Sequence, residues 1–96
     1  MANQINIKKL AQDLEREIMR REKELALPQQ NLEIGTRHLM WMCRRVYNGL
    51  VPESLAPIWI GYVQGVLRAG GGPNVEEMAA MIRQARVLKE AGSSEE

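Results

Sequence analysis

Apolar residues in this chain return at helical spacing and almost never alternate, so a sheet is excluded before any other consideration. Ile7, Leu10, Ala11, Leu14, Ile18 and Leu25 fall within one narrow arc at 100° per residue, the mark of a helix with a single buried stripe. No sustained apolar–polar alternation exists, and no Asn-Gly or Asp-Gly turn separates two such runs. The fold class expected is therefore all-α.

Turn residues cut this pattern into four pieces. Pro28 ends the first, because the residue before a proline is pushed out of the α region, which predicts a long helix over residues 5–27. Asn31 is suited to cap a second helix over 31–48, with Gly49 as its terminator. Its inward face reads Leu32, Gly35, Thr36, Leu39, Met42, Cys43, Val46 and Leu50. Ser54 is placed to cap a third helix over 55–69, with Pro57 tolerated in its first turn. That helix is apolar on more than half its girth, from Leu55 through Ile58, Trp59, Tyr62 and Val66, which predicts the buried centre of the fold.

Gly70-Gly71-Gly72-Pro73 reads as a flexible joint. Asn74 with Glu77 then forms a capping box opening a fourth helix over 75–91, whose inward stripe is Val75, Met78, Met81, Ile82, Ala85 and Leu88. Gly92 closes it, and residues 93–96 are expected to be a disordered tail. Four helices on short connections predict one domain over residues 1–92, a small four-helix bundle of orthogonal or up-and-down form. The long N-terminal helix either folds back on the others or pairs with a second copy. A dimer seam along Ile7, Leu10, Leu14, Ile18 and Leu25 is the sharper of those two readings.

Composition narrows function chiefly by exclusion. At 96 residues the core is small and the stability margin thin, so self-association is a natural way to add buried area. A net charge of +1 supplies no global field toward nucleic acid or an anionic membrane. One cysteine, Cys43, allows no internal disulfide and fits a reducing compartment. The longest wholly apolar run, Leu39 to Cys43, is far too short to span a bilayer, and the cytoplasm is the expected setting.

Chemistry is hard to build from these residues. His38 and Cys43 lie on different helix faces and no other soft ligands exist, so no metal or other cofactor is expected. Ser54 is accounted for as a cap, Ser93 and Ser94 lie in the tail, and Cys43 faces the core, where a thiol is inert. No catalytic residue and no small-molecule substrate is expected. The Gly-rich segment follows a helix rather than a strand and precedes no Lys-Ser or Lys-Thr, so it is no phosphate loop.

The second helix carries the one unusual feature. Opposite its inward face sit Arg37, Trp41 and Arg44, with Ile34 and Arg45 beside them. Trp and Arg are enriched where partners bind. The expected function is a non-enzymatic protein–protein interaction module, a small self-associating regulator, inhibitor or assembly factor, docking through Trp41, Arg37, Arg44, Arg45 and Ile34. The rival is a DNA- or RNA-binding regulator using the Arg37, Arg44 and Arg45 face, with phosphate contacts and an indole to stack on. No membrane partner is expected. The motifs identify no family.

Overall fold

Asn6 opens the first helix by accepting the Lys9 amide on its side-chain oxygen at 3.1 Å, satisfying one of the free first-turn donors. The computed structural model describes residues 6–94, with side chains of the last helix described through Ala85. Its elements are four α-helices: α1 (Ile7–Arg21), α2 (Thr36–Tyr47), α3 (Ala56–Ala69) and α4 (Val75–Ser94). The expected all-α bundle is the fold. Residues 1–5, where the first helix was expected to begin, and 95–96 of the expected tail lie outside the described residues.

Helix α1 is the centre. It packs against each of the other three helices, and α2 and α3 also pack on each other. Leu10, Ala11, Leu14 and Ile18 are all nearly inaccessible, forming one cluster with Leu39, Cys43 and Val46 of α2, Ile60, Val63 and Leu67 of α3, and Met78 and Ala85 of α4. Two expectations are corrected by this arrangement. The seam of Ile7, Leu10, Leu14, Ile18 and Leu25 is occupied within the single chain and leaves no apolar stripe for a second copy. Nor is α3 the buried centre, since only Ala56, Ile60, Val63 and Leu67 on one side of it are buried.

The first helix stops at Arg21, six residues short of the expected end. From Glu22 the chain must turn to reach α2, and tertiary contacts take over from helical ones. Leu25 is still buried, but from a turn: the Ala26 amide donates to the Gly70 carbonyl at 2.8 Å, and Leu25 lies against Gly72. Glu22 pins the next helix by accepting from the Thr36 hydroxyl at 2.9 Å and the Gln29 amide at 3.3 Å.

Asn31 does cap, but it caps a turn rather than a helix. Its side-chain oxygen accepts the amides of Glu33 and Ile34, and α2 begins five residues later. The Thr36 and Arg37 amides, which no side chain caps, donate instead to the carbonyls of Pro28 and Gln29. Gly35 is required there because a Cβ would collide with the backbone of Asn31 and Gln30. Leu32 rides on the turn and projects into solvent at 88% exposure, and Leu50 is likewise exposed, so neither belongs to the inward face expected of them.

Ser54 does not cap α3; the Leu55 and Ala56 amides donate to the Pro52 carbonyl instead. The Gly70–Pro73 segment is no loose joint. Gly71 takes φ +85°, the Gly72 amide donates to the Leu67 carbonyl at 2.7 Å, and Gly70, Gly72 and Pro73 are buried. The capping box is present as expected: Glu77 donates its amide to Asn74 at 2.8 Å, and Asn74 donates its own to the Glu77 carboxylate at 2.9 Å. Helix α4 passes through Gly92 to Ser94, and Val75 is exposed rather than inward.

Candidate functional site

Packing commits one face of α2 and leaves the other at the surface. Thr36, Leu39, Met40, Met42, Cys43 and Val46 are buried, which turns Arg37, Trp41 and Arg44 outward on the helical period. Trp41 is 45% exposed. It is not solitary: the His38 ring stacks on it at 5.4 Å, Trp59 of α3 lies at 5.9 Å, and the Arg45 guanidinium sits 5.2 Å above its face.

The five residues expected to form one binding face fall in three places. Arg45 stays with Trp41. Arg44 turns the other way and pairs with Glu15 of α1, which also accepts the Tyr47 hydroxyl at 2.8 Å. That bond to Glu15 holds the Tyr47 phenol above its ordinary pKa, because ionising it would place two anions side by side. Arg37 borders a separate shallow groove with Glu22, Met40 and Arg44. Ile34, 39% exposed, lies in the turn that precedes α2.

Beside Trp41, outward-facing His38 meets residues that periodicity assigned to the interior. A groove of about 290 Å³ is lined by Leu32, His38, Met42, Ile58, Trp59 and Tyr62, with Glu33 at its edge. Ile58 is 66% exposed, and the Tyr62 hydroxyl donates to the Glu33 carbonyl, fastening the Leu32 turn against α3. The signal for this second face lay in the very width of the apolar arc on α3. A helix with one buried side needs about 100° of apolar surface. An arc over more than half the circumference carries two faces, and only one is packed.

The arrangement offers little to reaction chemistry. Among the described residues no group of three or more His, Cys, Asp or Glu is placed to hold a metal ion. Burial pushes the Cys43 thiol up to about 12, with the Glu15 carboxylate adding to the effect, so no thiolate nucleophile forms there near neutrality. Among the described residues no helix is long and apolar enough to cross a membrane. No family model, no curated protein and no solved structure matches this chain.

Proposed function

We propose that this chain is a non-enzymatic helical module that works by binding protein, as a small regulator, inhibitor or assembly factor in the cytoplasm. One observation carries the proposal. Leu32, Trp41, Ile58 and Tyr62 are exposed together on one α2–α3 face, while the inward faces of both helices are already filled. With Leu55 and the exposed edges of Trp59 and His38, they present on the order of 500 Å² of largely apolar surface, at the upper end for the largest patch on a monomeric protein. A groove walled by Trp59, Tyr62, Ile58 and Leu32, with Trp41 stacked on its His38 and Trp59 walls and Arg45 over that indole, has the composition of an interface centre.

The nucleic-acid reading draws less support. Arg44 is engaged by Glu15, Arg45 lies over an indole, and Arg37 shares its groove with the Glu22 carboxylate. The free cationic groups on this face are thus too few and too scattered to track a phosphate backbone.

The test compares the immobilised chain with its Trp41→Ala variant against cytosolic extract, followed by titration with the purified protein retained. The expected result is one stoichiometric protein whose affinity falls at least ~10-fold on loss of the indole, with unchanged far-UV circular dichroism. Equal binding by the variant would remove the anchor of the proposal. A complex whose log affinity falls steeply and linearly with log salt would replace it with the nucleic-acid reading.

A further inference from the structure

The side of α3 directly opposite its buried residues has an unusual make-up. Along it run Ile58, Gly61, Tyr62, Gly65 and Ala69, at spacings of three and four. From Ala56 to Leu67 the helix contains no charged residue, although half of it faces out. Among the described residues nothing lies within 4 Å of a Cβ placed at Gly61 or Gly65, so none of them uses the room the two glycines leave. Helix α4 packs on α1 rather than across this side of α3.

We infer that the occupant of this face is a second copy of the same chain, its α3 lying antiparallel across the first about a twofold axis near Gly61 and Tyr62. This rests on the protein-binding reading above and names the partner. The register follows from matching large residues to small ones. An axis between Gly61 and Tyr62 sets Ile58 over the partner's Gly65 and Tyr62 over the partner's Gly61, and twofold symmetry repeats both contacts. The same register brings exposed Arg68, at the end of α3, to the region of the partner's Glu53, just before its α3 begins. A twofold interface opposes each residue near its axis to a copy of itself, and a charge-free centre is what lets this face do so without repulsion. A parallel pairing would instead set Arg68 beside Arg68.

Sedimentation equilibrium on the full chain from ~1 to ~200 µM decides the matter, a range that captures dissociation constants ordinary for a standard-sized interface. The expected mass rises toward twice 10.9 kDa. Gly65→Leu should weaken association at least ~10-fold without lowering the melting temperature measured at low concentration, because the side chain enters space that is empty in the monomer and leucine favours helix over glycine. A merely structural role for Gly65 would show the opposite. Arg68→Glu should also weaken pairing, and the Glu53→Arg, Arg68→Glu double variant should restore it. A chain that stays at monomer mass to ~200 µM, or a dimer indifferent to Gly65→Leu, overturns the inference. Failure of the double variant to recover overturns the antiparallel register. If the chain is monomeric while Trp41-dependent capture of another protein persists, this inference fails and the protein-binding reading stands. If both are absent, both fail.

Discussion

Replacing Gly61 and Gly65 together by alanine should make the isolated chain more stable. Glycine in a helix interior costs about 0.5–1 kcal/mol relative to alanine, through the larger backbone entropy it loses on folding. That gain is normally offset wherever the new methyl meets a neighbour. At both positions nothing lies within 4 Å of the added Cβ, and both residues lie well inside α3 with ordinary helical φ. The two changes should therefore add, giving about 1–2 kcal/mol. For a domain of this size that is a rise of roughly 5–10 °C in melting temperature. The assay is urea unfolding followed by far-UV circular dichroism at low micromolar concentration, where self-association contributes nothing. Gly35→Ala serves as the internal contrast. Its Cβ would run into backbone atoms of Asn31 and Gln30, and a loss of about 1–3 kcal/mol is expected from the forced shift. A loss of stability at Gly61 or Gly65 would show that this side of α3 is covered in the folded monomer, and the reasoning about an open face would be refuted.

Leu14→Ala, at a side chain with no exposure, should cost about 3–5 kcal/mol by chemical denaturation, whereas Leu32→Ala, at 88% exposure, should change stability by less than about 0.5 kcal/mol. Glu15→Gln removes the acceptor shared by Arg44 and Tyr47. Because the Arg44 side chain is half exposed, the expected loss is only about 1 kcal/mol, and ultraviolet titration should show the Tyr47 phenol ionising at lower pH than in the parent. Cys43, fully buried with its thiol pushed up to about 12, should resist Ellman's reagent at about pH 8 until the chain unfolds; prompt labelling of the native protein would contradict its burial. The Asn74 amide, then Arg21, hold Glu77 below the ordinary glutamate pKa. Its stabilisation of the α4 start is thus complete above that ordinary value and is lost as pH falls through the lowered folded one. Amide exchange in the first turn of α4 should accelerate over that acidic window, and in Glu77→Gln the pH dependence should vanish.

Local rules were most reliable where the deciding contacts lie within a few residues. The Asn74–Glu77 capping box is a four-residue event, and both of its hydrogen bonds form as the sequence predicts. Gly49 ends the turn after α2 at φ +75°, a conformation few other residues tolerate. The same rules misplaced boundaries wherever a distant group competed. Asn31 met the requirements of a helix cap, yet the Pro28 and Gln29 carbonyls claimed the first amides of α2, and the asparagine was left to close a turn. The first helix could have continued to Leu27 by propensity. It stops because Ala26 finds a partner in Gly70, more than forty residues away.

Binary patterning determined by itself that this chain is helical and in four pieces, and which residues of α1 and α2 form the central stripe, because helical period is set by the backbone and needs no partner to be legible. What it could not determine is which of two apolar faces on one helix is turned inward. On α3, Ile60 and Ile58 differ by only two positions and not at all in chemistry, yet one is sealed and the other stands 66% exposed. That choice belongs to tertiary packing: α1 and α2 together cover one side of α3, α4 goes to α1 instead of closing the other, and Ile58 and Tyr62 are left on an uncovered face beside Trp59.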